Sequence, residues 1–132
     1  METSLRLAAT KGCHCLAARR NSRAITRLFE AKLRPHGLRA TQFSILAALA
    51  LKGPTPVGEL ADFLDLERTT LTRSASLLER NGWIASAPSE DARQQFWQLT
   101  KAGRGKLKAA FRDWQEAQNL VTQQLARDRE QS

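Results

Sequence analysis

The sequence predicts a mainly α-helical fold with a small β-hairpin wing: a winged helix-turn-helix framed by an apolar helix at each end. Three observations lead there. Apolar residues recur at spacings of three and four in five separate stretches, the period of an amphipathic helix. Only one pair of short segments, 83–87 and 95–99, is rich in bulky residues around a polar tip, the pattern of a single hairpin. Asn81-Gly82, directly before that pair, is a strong helix stop, because both residues tolerate a left-handed backbone.

Taken in order, residues 14–34 carry Leu16, Ile25, Leu28, Phe29 and Leu33 at helical spacing, with Arg19, Arg20, Arg23, Arg27, Lys32 and Arg34 among them. Pro35-His36-Gly37 ends that helix. Thr41 is expected to cap the second helix, whose Phe43, Ile45, Leu46 and Leu49 mark it as the buried one, up to the Lys52-Gly53-Pro54 turn. Pro56 opens a short third helix with Val57, Leu60, Ala61 and Leu64 inward, and Asp65-Leu66-Glu67 leads tightly into the fourth. Thr100 caps a last long helix through residue 126, with Leu107, Phe111, Trp114, Val121 and Leu125 on one side and a polar tail from Arg127. The chain reads as one domain, 1–132: helices 14–34 and 100–126 are the arms, and 41–99 holds the helix-turn-helix and wing.

The fourth helix carries the chemistry. Leu71, Ala75 and Leu78 fall at i, i+4 and i+7 and form its inner stripe, while Arg68, Thr69, Thr72, Arg73 and Ser76 gather outside. Threonines are poor helix formers on a surface where Glu, Lys or Gln would serve better, so something other than helix propensity selects them. Arginine can donate two parallel hydrogen bonds to a guanine edge or a phosphate, and threonine meets phosphate oxygens or a thymine methyl without crowding a groove. A plain solvated face is the alternative reading.

Composition bounds the partner. The 132 residues hold 21 Lys+Arg against 13 Asp+Glu, a formal net charge of +8, which suggests nucleic acid or an anionic membrane surface. No apolar run approaches the roughly 18 residues of a spanning helix, and residues 1–16 lack the apolar core of a signal peptide. A cytoplasmic protein with no membrane partner is expected. The charge is uneven: residues 51–99 hold five Lys/Arg against seven Asp/Glu, whereas residues 1–50 hold nine against two. Much of the attraction to an acidic polymer therefore falls to the flanking helices.

Several segments, Gly37-Leu38, Thr41-Gln42-Phe43, Glu59-Leu60-Ala61, Arg68-Thr69-Thr70-Leu71-Thr72-Arg73, Leu78-Glu79-Arg80-Asn81-Gly82, Asp91-Ala92-Arg93 and Leu99-Thr100-Lys101-Ala102-Gly103-Arg104, occur in a telling order and spacing. Over residues 16–125 they resemble the multiple antibiotic resistance regulator (MarR) family of winged helix-turn-helix transcription factors. The resemblance implies that Arg68, Thr69, Thr72 and Arg73, with Thr70 and Ser76 beside them, form the DNA-binding surface in a major groove. It also implies that Arg93 at the wing tip enters the adjacent minor groove and that Asp91 holds the wing by pairing with arginine. Family wings commonly bear further arginines, whereas Ser86, Ala87, Ala92 and Gln94 are uncharged here, which implies fewer wing contacts. Members often continue into another helix that completes the dimer, whereas this sequence stops at Ser132.

Leu16, Ile25, Leu28 and Phe29 on the first helix, with Phe111, Trp114, Val121 and Leu125 on the last, are more apolar surface than one small winged domain covers. They are expected to cover each other across a two-fold axis as a homodimer. Such a dimer sets its reading helices about one DNA turn apart, which predicts an inverted-repeat operator. The family resemblance further implies a small anionic or phenolic effector between the dimerisation and DNA-binding regions, with Arg19, Arg20 and Arg23 as its partners.

Cys15 lies eight residues before Arg23, similar to the position of the reactive cysteine in organic-hydroperoxide-sensing members. Those sensors stabilise their cysteine with tyrosines, and this chain has none. The competing reading is a small residue at the start of a buried helix. A structural Cys13–Cys15 disulfide is not expected, and Cys13-His14-Cys15 cannot all face one ion on a helix, so no metal is expected either. Glu59, Asp62, Asp65 and Glu67 read as a solvated helix edge, and no glycine-rich phosphate loop or nucleophile elbow occurs, so neither enzyme activity nor a cofactor is expected. Trp83, Trp97 and Trp114 read as wing and dimer packing, with an aromatic ligand pocket as the alternative. The leading reading is a homodimeric, sequence-specific, ligand-responsive repressor of transcription that binds double-stranded DNA. A thiol-based oxidant sensor using Cys15 and a winged-helix protein-interaction module are its competitors.

Overall fold

Most helix starts and stops follow local chemistry. In the computed structural model, which describes residues 5–91 and 93–131, a 3-10 turn at Leu7–Gly12 precedes α1, His14–Leu33. Pro35 lacks the N–H that a helix needs, so the chain tightens into a 3-10 turn at Arg34–His36 and reverses at Gly37, where φ is 72°. α2 spans Ala40–Lys52 and is capped at Arg39, two residues before the expected Thr41. The reason is side-chain support from elsewhere: Gln42 Oε1 accepts the Arg39 main-chain N–H at 2.9 Å, and Glu30 Oε2 of α1 accepts that of Ala40 at 3.2 Å. A guanidinium has no acceptor, so Arg39 supplies only its backbone to this cap.

A two-residue strand, β1 at Thr55–Pro56, follows α2 and was not expected from the sequence. It is too short and too proline-bound to show a period of two, yet it pairs antiparallel with β3, Thr55 opposite Trp97. α3, Val57–Leu64, ends at Asp65 in the left-handed region, with φ 53° and ψ 49°. α4, Arg68–Arg80, stops through Asn81-Gly82, but only Gly82 turns left-handed, at φ 77°; Asn81 stays helical. β2, Ile84–Ala87, and β3, Phe96–Leu99, form the hairpin, and the sheet order is β1-β3-β2. The wing is thus the free end of a three-stranded sheet. α5, Lys101–Glu130, starts on Thr100, whose Oγ1 accepts the Gly103 N–H at 3.0 Å, and it continues past the expected end at residue 126. Polar residues 127–130 extend a helix already under way, because propagation needs no apolar face.

The core gathers on α2: Phe43, Ile45, Leu46 and Leu49 pack with Leu33, Leu60, Leu71, Leu78, Ile84 and Trp97. Each fully buried leucine contributes about 1.5–3 kcal/mol relative to exposure. Trp97 is buried with its indole Nε1 lacking a hydrogen-bond partner among the described residues. Trp114 stacks on Phe43 with centroids 5.5 Å apart and lies 6.3 Å from Phe29. These two arm residues, expected at the dimer surface, are therefore partly taken up by the chain's own core.

Polar contacts lock α1 and the 3-10 turn after it to α5. Lys32 Nζ meets Glu116 Oε2 at 2.8 Å, His36 Nε2 meets Asp113 Oδ2 at 2.6 Å, and Lys106 Nζ donates to the His36 carbonyl at 2.9 Å. The hydrogen bond and charge of Glu116 hold the Lys32 ammonium above its ordinary pKa. Among the described residues, no helix is long and apolar enough to cross a membrane.

Candidate nucleic-acid interface

The α3–α4 unit presents the polar helix face. The left-handed Asp65 lets Leu66 N–H reach back to the Ala61 carbonyl at 2.9 Å, so α4 departs sharply from the end of α3. Leu71, Ala75 and Leu78 are each completely buried, as their spacing predicts. That anchoring fixes the helix rotation, so Arg68, Thr69, Thr70, Thr72 and Arg73 are exposed; Ser76 is half-buried beside the core.

Two arginines predicted from separate motifs meet in one place. Arg68 and Arg93 both line a cleft of about 580 Å3 between the start of α3 and the wing, together with Glu59, Asp62 and Gln95. The wing is pinned there by the Val57 N–H, which donates to the Gln95 carbonyl at 2.9 Å. Gly58 was not singled out in the sequence, yet it shapes this cleft: a side chain at residue 58 would collide with Arg68 Nη2. An isolated glycine inside an otherwise helical pattern was the available signal. Glu59 is partly neutralised by Lys52, 3.4 Å away. The carboxylates of the cleft agree with the net negative count of residues 51–99.

The wing tip departs from expectation at Asp91. Its Oδ1 accepts the Arg93 main-chain N–H at 2.9 Å, and its carbonyl accepts that of Gln94 at 3.0 Å. Asp91 therefore holds the turn through backbone groups, an Asx-type turn, and meets no guanidinium among the described residues. Arg93 is left exposed. Ala92 of the same motif lies outside the described residues.

A second surface lies between the arms. Ile25, Leu28, Val121 and Leu125 line a groove of about 640 Å3 between α1 and α5, with Leu28 41% and Leu125 47% exposed. Phe111 is also exposed, whereas Leu16 is half-buried. Cys15 sits in the first turn of α1 and is exposed, with Arg19 Nη2 3.7 Å from its Sγ. Within the single chain the first turn of α1 is mostly exposed, with Leu16 half-buried, so Cys15 is not part of the chain's own core. The three tryptophans do not line one pocket: Trp97 is in the core, Trp114 stacks on Phe43, and Trp83 lies under Lys106 Nζ, 4.9 Å from its ring centroid.

Known proteins resemble the chain in sequence and in fold. Residues 38–94 match the sequence model of the MarR family. The chain is 35% identical over 86 residues to YwoH of Bacillus subtilis, an uncharacterised HTH-type transcriptional regulator, covering 65% of this chain and 63% of YwoH. It is 36% identical over 83 residues to the transcriptional activatory protein BadR of Rhodopseudomonas palustris, covering 60% of this chain and 45% of BadR. The chain thus spans about half to two thirds of the length of these relatives. Among solved structures, the M. tuberculosis transcriptional regulator MosR in complex with DNA superposes with a TM-score of 0.77 and 35% identity, over 90% of this chain and 92% of MosR. All three relatives are regulators of transcription, in keeping with the expectation that this chain is not an enzyme. Through this likeness in sequence and in structure, the chain belongs to the MarR family of winged helix-turn-helix transcriptional regulators.

Proposed function

We propose that the protein binds double-stranded DNA in the cytoplasm as a homodimer, with the outer face of α4 in a major groove and Arg93 in the flanking minor groove of an inverted-repeat operator. The observation that carries this reading is the shared cleft of Arg68 and Arg93, which puts the helix and the wing on one side of the chain. Support for the dimer comes from the half-exposed leucines of the α1–α5 groove, an apolar surface suited to a second copy. In this reading Arg68, Thr69, Thr70, Thr72, Arg73 and Ser76 contact bases and phosphates, while Asp91 shapes the wing that carries Arg93.

The regulator acts as a repressor released by a small anionic or phenolic ligand. Release needs no chemistry, only a higher ligand affinity for a dimer whose reading heads are wrongly spaced. Selection of bound genomic fragments followed by Arg73→Ala tests the reading. Specific binding is expected to weaken by about 1–3 kcal/mol, with a smaller loss on random DNA. If no genomic fragment is bound in a salt-sensitive way, the fold serves as a protein-interaction module instead.

A second reading rests on Cys15. An exposed thiol beside a guanidinium is open to oxidants, so oxidation of Cys15 would take the place of ligand binding as the signal.

A further inference from the structure

Three arginines surround a groove that neither the α4 face nor the dimer surface explains. The groove, of about 510 Å3, lies where α1 hands over to α2 and is lined by Arg27 of α1, Arg34 of the 3-10 turn and Arg39 at the start of α2. All three residues are exposed. None of their guanidinium groups takes part in a hydrogen bond or ion pair among the described residues, whereas the nearby Lys32 is paired with Glu116. The only carboxylate of the groove, Glu30, already accepts the Ala40 N–H. The floor is formed by buried Leu38 and by Gly37, beside which a side chain would meet nothing within 4 Å, so the groove is open to an approaching group.

Three cations gathered from three successive elements face one carboxylate, whose bond to a neutral N–H leaves its charge in place, so the groove keeps a net positive charge that an anion relieves. Arginine at all three positions suits phosphate best, since its planar fork gives two parallel donors to phosphate oxygens. We infer that the Arg27–Arg34–Arg39 groove is a phosphate-binding site, separate from the α4 reading face. Two sources supply such phosphate: the backbone of DNA outside the reading helix, or a free organic phosphate.

The test uses the full chain and its Arg34→Gln/Arg39→Gln double variant, with inorganic pyrophosphate as probe in titration calorimetry and with operator and random DNA over a salt series. Both substitutions are at exposed positions, so unchanged thermal unfolding is expected. Arg27→Gln, on a different element, is expected to act in the same direction. A fall of about two in the log–log salt slope, alike on operator and random DNA, assigns the groove to DNA phosphates, at roughly 0.9 per contact. One pyrophosphate bound per chain, at least tenfold weaker in the double variant and with the slope unchanged, assigns it to a free phosphate. An unchanged slope together with equal pyrophosphate binding by both proteins, or with none, overturns the proposal. The pyrophosphate measurement does not require DNA binding, so this site can fail while the regulator reading stands, and the reverse.

Discussion

Gly103 lies against the backbone carbonyl of Trp83 so closely that no side chain fits between them; a Cβ there would also press on Leu99. The contact joins the first turn of α5 to the root of the wing, where Thr100 N–H donates to the same Trp83 carbonyl at 3.1 Å and Thr100 Oγ1 donates to the Gly82 carbonyl at 2.6 Å. Glycine to alanine inside a helix normally stabilises, by about 0.5–1 kcal/mol. At residue 103 the sign reverses. Gly103→Ala is expected to destabilise by about 1–3 kcal/mol, the cost of forcing an extra carbon into a packed site. Gly105→Ala, two residues on with open space around it, is the control and is expected to stabilise. Urea unfolding of both variants checks the pair, and a stabilised Gly103→Ala protein would show that α5 and the wing root are not in contact.

The same logic with a flexible neighbour gives a different outcome at Gly58. Its missing side chain leaves room for the Arg68 guanidinium, the far end of a mobile side chain that can swing away at little cost. Gly58→Ala is expected to leave stability unchanged or raise it by up to about 1 kcal/mol. Operator affinity is expected to fall by about 1 kcal/mol, because Arg68 remains but no longer rests in the cleft that it shares with Arg93. Gel-shift titration measures this, and unaltered affinity would remove the resting position of Arg68 from the DNA contact.

Those two glycines show where the sequence is legible and where it is not. Leu71, Ala75 and Leu78 announce their burial through the helical period itself, so the orientation of the polar face follows from the chain alone. Gly58 and Gly103 matter because of what passes over them from elsewhere in the fold, and a glycine carries no mark of its neighbours. β1 was hidden for a related reason, since a two-residue strand exists only by virtue of its partner, β3. The start of α2 depends on Glu30, ten residues upstream, which local capping rules do not see. The Asp91 carboxylate meets the Arg93 main-chain N–H in place of the expected guanidinium, because short polar side chains satisfy nearby backbone most readily.

Dimerisation through the arms is tested at Leu125. Its side chain is 47% exposed in the single chain, so Leu125→Glu costs the isolated fold little. In a dimer closed over the α1–α5 groove the same change buries an unpaired charge, a penalty of several kcal/mol. Light scattering is expected to show a monomer with native helix content by circular dichroism, and operator binding is expected to drop at least a hundredfold with the loss of the second reading head. A Leu125→Glu protein that remains dimeric would move the interface away from this groove.

The oxidant reading makes a prediction that separates it from ligand release. Cys13 and Cys15 are both exposed, but among the described residues only Cys15 receives a guanidinium N–H, from Arg19. If oxidation at Cys15 is the signal, operator DNA bound by the wild-type protein is released on treatment with an organic hydroperoxide, and a reducing thiol restores binding while the sulfur is at the sulfenic or disulfide stage. Cys15→Ser is expected to keep full operator affinity in the reduced state, because residue 15 lies at the far end of α1 from the reading head, and to stay bound through the same treatment. Cys13→Ser should respond as the wild type does. Release from Cys15→Ser at the wild-type rate eliminates the thiol sensor and leaves differential ligand binding as the means of control.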